Sequence, residues 1–546
     1  MDVAGAGDTV LVAPGTYFEN LIWPSTIDEI KLIGDVDEGD VIIDGQQAGR
    51  VLLVEAAEND CDLIITDKTL IQGLIIQNGF LVEENGAGLK ANFANPTIRN
   101  VVFRNNRLEG DTLSGAGAYL GSFFGILEDC VFDKNEIVAG IRGEGAGLYV
   151  GRNTTEVAFK SCIFSNNTVQ GTTWGLGGGL YVTSSECSMN QHSAVFINNC
   201  LFENNMALAD RLSQGGGYYS NRGFLDLNID SSEFRGNMTS MEVNNGVEQK
   251  YFGGGIYVSS DQINIHATSF SDNFAFKGGG LYYDADYFPQ NPVKATLSNS
   301  RFSHNTANTF GGAIFFQFDE FDVEMTNCLI DHTAGTTIGT FCEDSVGKMI
   351  MNHCTVIDNQ SPIQLDQLDF FANNSIFWHN AEQEFQEFSL SMNFDHCLIS
   401  DFYEGDNLID VDPQLTANYF PMQDSPCVGA GKLLMPELDQ DILGNKRPLP
   451  CNTMPDIGAF EFDQKIVLAT EDEWELSDNF YPNPAHDFVY FNEEATQVKV
   501  YNTQGQLLIH QENVKQLSTS ELEQGHYVFI SYYGDQKRVN KVLIGK

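Results

Sequence analysis

The chain has 546 residues, with 29 Lys and Arg against 75 Asp and Glu, a formal net charge of −46. Acidity on this scale argues against nucleic acid and anionic membrane surfaces as partners, and the length exceeds one compact globule of ordinary size. Hydrophobic residues make up 42% and charged residues 19%, so the chain can build a large core and is not a disordered acidic tail.

The N-terminal stretch Met1-Asp2-Val3-Ala4-Gly5-Ala6-Gly7-Asp8 lacks the basic and apolar regions of a signal peptide. The expectation is either that the protein is not exported or that the sequence begins after such a signal. No apolar run is long enough for a transmembrane helix. Short apolar strands are predicted at 31–34, 41–45 and 73–78. From residue 86 onward a glycine block recurs, as in Gly86-Ala87-Gly88, Gly145-Ala146-Gly147, Gly215-Gly216-Gly217 and Gly311-Gly312-Ala313, each leading into an apolar or aromatic stretch such as Leu148-Tyr149. Between blocks lies a small residue followed by x-Phe-x-x-Asn. Examples are Cys130, Phe132 and Asn135; Cys200, Phe202 and Asn205; and Ser300, Phe302 and Asn305.

The small residue recurs every 21 to 38 positions from 130 to 397. Short strands with glycine turns at this period predict a parallel β-solenoid, with coils about 4.8 Å apart. Helical repeats are disfavoured, because no 3.6-residue period persists and glycine sits where helices would be. Equivalent residues then stack: Phe as an internal aromatic ladder, Asn as an amide ladder at a turn, and Cys, Ser or Thr as a row of small residues. Cys130, Cys162, Cys200, Cys328, Cys354 and Cys397 are accordingly read as small buried residues. Ser232, Thr268, Ser300 and Ser375 replace them at the same place, a swap that a thiolate metal site would not survive. The 11 cysteines include no CxxC pair, against a zinc ribbon or thioredoxin-like site.

Residues 5–405 resemble the right-handed parallel β-helix superfamily, similar in fold to pectate lyases, and their glycine and FxxN motifs resemble the repeats of chlamydial polymorphic outer-membrane proteins. The opening Gly7-Asp8-Thr9-Val10-Leu11-Val12-Ala13-Pro14-Gly15-Thr16-Tyr17 is similar to the first coil of many secreted β-helix proteins. Asp456-Ile457-Gly458-Ala459-Phe460-Glu461, preceded by Ser425-Pro426-Cys427 and Arg447-Pro448, resembles the choice-of-anchor end piece of bacterial surface proteins. Tyr481-Pro482-Asn483-Pro484, the alternating strands at 488–491 and 498–501, and the ending Lys541-Val542-Leu543-Ile544-Gly545-Lys546 resemble the C-terminal sorting domain of the Bacteroidetes type IX secretion system. The expected organisation is an all-β chain. A parallel β-helix spans 1–405, a cap or anchor-type segment covering the last open strand edges spans 406–462, and an acidic linker spans 463–478. A sorting domain, a small β-sandwich, spans 479–546. That resemblance implies export by the type IX machinery to the medium or cell surface. Cys427 and Cys451 bracket the end piece and could form a disulfide.

Enzymes of β-helix fold act on polysaccharides along one long face, with a Lys or Arg base and calcium-holding acids in lyases, or paired carboxylates in hydrolases. Neither constellation is recognisable here, and no catalytic residue is assigned. Arg142, Arg152 and Lys160 are single basic residues that read as solvated surface charges. His266, His304, His332, His353 and His396 lie near coil turns without metal-ligand spacing. Asp439 and Asp441, two apart in a loop, have the spacing that calcium loops favour, so calcium is the one cofactor in view. Three functions stay open: a carbohydrate-binding or adhesive surface protein that binds an extracellular polysaccharide, a cell-surface glycan or other cells without catalysis, a lyase or hydrolase of acidic polysaccharide, and a structural stalk. In the enzyme reading, insertions at 183–197 and 283–298 form the walls of a groove.

Overall fold

The computed structural model describes residues 4–544 except 38, 57–64, 122, 152–155, 184–192, 222–224, 241–249, 261, 285–292, 319–320, 343–346, 389–390, 401–402, 436–437, 450–452, 463–479, 482–487, 503–506, 521, 523–524 and 534–535. The regular elements among them are β-strands. They fall into two compact units, 1–463 and 464–546.

One coil of the first unit shows how the repeat works. Strand Gly125–Glu128 ends at Asp129, whose φ of 55° turns the chain, and Cys130 follows, fully buried. Strand Val131–Asp133 ends at Lys134, with φ of 54°, and buried Asn135 follows. Strand Glu136–Glu144 then runs to the block Gly145-Ala146-Gly147, and strand Leu148–Val150 completes the coil. This coil thus spends three residues in the left-handed region, Asp129, Lys134 and Gly145 with φ of 59°, where Asn, Asp, His and Gly are favoured. The second of these rows holds Asn166, Asn204, Gly236, Asp272, His304, His332, Asp358 and His379. The glycine block is dictated by contact. A Cβ on Gly216 would stand 2.5 Å from Met238 N and 2.6 Å from the Gly254 carbonyl oxygen.

Coils pair in parallel with equivalent residues opposite each other, so the expected ladders form. Phe103, Phe132, Phe164, Phe202, Phe234, Phe270 and Phe302 stack at 4.5–5.1 Å, all within 10° of parallel. The cysteine row is buried, and Cys162 N donates to Cys200 Sγ where Cys200 N donates to the Ser232 hydroxyl. That shared acceptor role explains why the three residue types interchange. In the amide row, Asn135 Nδ2 donates to Asn167 Oδ1 at 2.9 Å and to the Phe103 carbonyl at 2.9 Å. Asn135 N donates to the same Asn167 oxygen at 3.1 Å. The pattern repeats through Asn167, Asn205, Asn237, Asn273 and Asn305. The side-chain chain breaks after Asn305, whose Nδ2 donates to the Phe270 carbonyl; a second run starts at Thr333, continues through Asn359 and Asn380, and ends on the buried Glu384 carboxylate. One continuous apolar core runs from Ala4 to Ile399.

The segment after the last coil is irregular and lies along the flank of the final coils as well as beyond them. Leu329 and Ile357 pack with Tyr419, Ala459 and Phe460, while Ile376 and Leu398 pack with Cys427 and Ile457. Gly458 N donates to the Asn374 carbonyl and Ala459 N to the Thr355 hydroxyl. Cys427 is a buried free thiol, and Cys451 lies outside the described residues. The second unit is a five-stranded antiparallel sheet. Its long strand Phe488–Asn502 pairs with both Leu507–Ser518 and Gly525–Tyr533 over a core that includes Val498, Val500 and Phe529.

Candidate functional site

The strand before each glycine block carries an interruption that shapes the surface. Strand Arg107–Ser114 slips register against Glu136–Glu144 between Gly110 and Thr112, and in the next coils the strand breaks at Thr172-Thr173 and Asp210-Arg211. Bulges of this kind bend a strand and re-aim its side chains. Beside the bend lies a cavity of about 620 Å³, lined among others by Val138, Gln170, Thr172, Leu208, Asp210 and Ser240. Val138, Gln170 and Leu208 are register partners on three successive coils. With Ser240 the row spans four coils, a length of about 15 Å. Buried Tyr251 closes the floor, its hydroxyl donating to the Asp210 carbonyl at 2.7 Å.

Beyond the bulge, Arg142 and Trp174 are register partners. The guanidinium lies 4.8 Å from the Trp174 ring centroid, pairs with Glu144, and reaches the Tyr181 hydroxyl at 3.4 Å. Burial works most strongly against its charge, but Glu144 together with the Tyr181 and Tyr219 phenols outweighs it, and the pKa of Arg142 rises above its usual value. Arg142 is therefore a fixed cation and not a base.

Past the glycine block a second aromatic row faces outward. Tyr119, Tyr149, Tyr181, Tyr219, Tyr257, Tyr282 and Phe315 stack at 4.9–5.4 Å. Leu176, Leu212, Phe252 and Phe310 from the preceding strands pack against them, with Phe252 stacked on Tyr282 at 4.5 Å. Side chains from both sides of the block meet outside the solenoid, so the corner is re-entrant and filled with rings. Burial, then Glu144, pushes the Tyr181 phenol well up, and burial, then Asp284, does the same at Tyr257. These phenols stay neutral near pH 7. The region offers apolar surface, amide and hydroxyl, the fixed cation Arg142, and Lys277, whose ammonium lies 5.0–5.8 Å from the Phe252, Phe310 and Phe315 ring centroids. Asp210 is the single carboxylate among the cavity-lining residues.

Three family descriptions match the chain: a right handed beta helix region over 56–237, a secretion system C-terminal sorting domain over 479–545, and a chlamydial polymorphic membrane protein repeat over 299–317. The chain is a right-handed parallel β-helix with a secretion sorting domain. No curated protein and no solved structure matches it. This β-helix protein is thus secreted or held at the cell surface, and its C-terminal unit engages the type IX secretion machinery.

The remaining sequence candidates of the β-helix protein are dispersed. Asp439 is exposed, and its backbone carbonyl accepts from Arg447 N. Asp441 is fully buried, and its oxygens accept from Leu443 N, Asn445 N, Asn445 Nδ2 and Glu461 N at 2.8–3.1 Å. Lys160 is an exposed residue, while Arg152, 184–192 and 285–292, with the groove walls expected there, lie outside the described residues. His266 bonds Ser298, His353 is buried against the end piece, and His396 bonds Asp395. The structure brings His304 and His332 together in a ring stack. The sequence reading of Arg142 as a solvated surface charge is corrected, since its side chain is held by Glu144, Trp174 and Tyr181, and Trp174, Gln170 and Asp210 were missed. The signal was present, since Arg142 and Trp174 lie 32 apart, one coil period.

Proposed function

We propose that this secreted or surface-held β-helix protein binds a neutral glycan lengthwise across its coils, in the cleft beside the strand bulge and against the Arg142–Trp174 pair. The carrying observation is that pair next to the cavity, an aromatic face and hydrogen-bonding groups arranged over four coils. Sugar rings offer C–H faces that pack on aromatic and aliphatic side chains, and hydroxyls that Gln170, Thr172, Ser240 and Asp210 can meet. A chain of net charge −46 repels polyanions, which favours neutral over acidic polysaccharide. The neutral phenols and the protonated, Glu144-paired Arg142 are poorly suited as bases, which supports binding over lyase chemistry.

The test is a titration of the full chain against panels of neutral and uronate-containing polysaccharides, followed by Trp174→Ala. Expected is binding of a neutral polymer that Trp174→Ala weakens by about tenfold or more, without a change in thermal stability of the solenoid. Binding confined to uronate polymers, or unaffected by Trp174→Ala, overturns the reading.

A further inference from the structure

His304 and His332 occupy the same turn row on adjacent coils, with φ of 57° and 53°. Both are exposed, and their rings stack at 4.7 Å and 4°. The hydrogen bonds around them fix where the ring protons sit. Arg301 donates twice to the buried Asp331 carboxylate, at 3.2 and 3.1 Å. The Ser303 hydroxyl donates to Asp331 Oδ2 at 2.9 Å, so its oxygen is left to accept from His304 Nδ1–H, 2.9 Å away. The Tyr419 hydroxyl donates to Asp358 Oδ2 at 3.3 Å, so toward His332 Nδ1, at 3.1 Å, it is an acceptor. Asp331 Oδ2 accepts from that same N–H at 3.0 Å. Both neutral rings therefore carry their proton on Nδ1, and each leaves its Nε2 lone pair without a hydrogen-bond partner among the described residues.

An imidazole whose Nδ1–H is held by a carboxylate or hydroxyl, with Nε2 open, is the arrangement found at histidines that bind metal ions. We propose that His304 and His332 together bind one divalent transition-metal ion of the zinc class through their Nε2 atoms, with Asp331 and Ser303 orienting the rings. One donor atom from each of His304, Asp331 and His332 lies within 4.8 Å of the others. Zinc–nitrogen bonds of about 2.1 Å place two ligands about 3.4 Å apart in a tetrahedral site. The ring centroids lie 4.7 Å apart in near-parallel planes, so the two Nε2 lone pairs run side by side, and holding one ion requires the rings to tilt toward each other by rotation about χ1 and χ2, which exposed side chains can make. The carboxylate of Asp331 is already engaged by Arg301 and Ser303, so its part is orientation, and the other coordination positions face solvent.

The experiment titrates the full chain with zinc chloride by calorimetry in a calcium-containing buffer, which occupies the surface carboxylates first. Expected is one zinc per chain, with affinity at least about tenfold lower in His304→Gln and in His332→Gln. A second readout uses the unaltered protein: zinc protects His304 and His332 from acylation by diethyl pyrocarbonate while exposed His266 and His379 still react. Absence of stoichiometric zinc binding, retention of it in the double variant, or equal acylation of all four rings overturns the proposal.

Discussion

Replacing Asn237 by Ala tests the amide ladder where it is deepest. The Asn237 amide nitrogen donates to Asn273 Oδ1 at 3.0 Å and to the Phe202 carbonyl at 2.8 Å. Its oxygen accepts from Asn205 N at 3.0 Å and Asn205 Nδ2 at 2.9 Å. Ala removes all four bonds and leaves their partners buried without water. A net 0.5–1.5 kcal/mol per bond gives about 2–6 kcal/mol, and stranded buried partners push the cost to the upper half, about 4–6 kcal/mol. Asn237→Thr costs roughly half as much. The chain itself supplies the precedent at Thr333, whose hydroxyl reaches Asn359 Oδ1 at 2.8 Å. The assay is guanidinium unfolding followed by far-ultraviolet circular dichroism, with amide hydrogen exchange to localise the damage, because a solenoid need not unfold in one step. Exchange should quicken around residues 200–275. A loss for Asn237→Ala below about 1 kcal/mol, or one equal to that of Asn237→Thr, refutes the claim that the ladder is held by these bonds.

Phe202→Ala removes a ring stacked at 4.7 Å on one side and 4.5 Å on the other, and the cavity left should cost about 3–5 kcal/mol in the same assay. Gly216→Ala drives a Cβ into backbone atoms at 2.5 and 2.6 Å, which cannot rotate away, so this variant is expected to expose its coil to limited proteolysis at temperatures where the parent resists. His353 donates from Nδ1 to the Asp456 carbonyl and accepts from Asn374 Nδ2, and burial, with Arg447, holds its pKa well below 6.5. A base depressed in the folded state stabilises the fold above the unfolded-state pKa and loses that contribution as pH falls below it. Glu461, its carboxyl pushed up to about 7 mainly by burial, gives the opposite slope. The melting-temperature gap between the parent and His353→Gln isolates the histidine, and it should narrow from pH 7 to pH 5.

The ladders were legible because an inward position in a solenoid sees the same surroundings in every coil, so the same residue type returns there. Phe202 and Asn205 are constrained by the coils on either side, and the sequence repeats that constraint as a period. Outward positions obey no such rule. Arg142 is followed one coil later by Trp174 and then by Leu212, and only the register reveals them as neighbours. His304 and His332 were hidden differently. Each fits its turn as one of several residues that tolerate positive φ, so the row mixes Asn, Asp, Gly and His, and no single motif marks it. Packing of Tyr419 and Phe460 against Leu329 and Ile357 joins residues about 60 to 130 positions apart, with no periodic signal to announce it.

The amide ladder also has a direction. From Asn106 to Asn273, and again at Asn359, each asparagine gives its backbone N–H and its side-chain N–H to the side-chain oxygen of the asparagine in the coil that comes after it. A stack cut short anywhere would end with two donors facing water, ready to receive the next coil and no other kind of surface. Growth toward the C-terminus is therefore templated, every turn of chain finishing the turn before it. Glu384 stops the series. Its carboxyl group accepts both donors of Asn380, at 3.3 and 2.5 Å, and the Ser400 hydroxyl donates to its other oxygen, so the series ends on an acceptor. The solenoid carries a terminator written in hydrogen-bond polarity, and exchanging Glu384 for an amide would turn a stop into an invitation to a further coil.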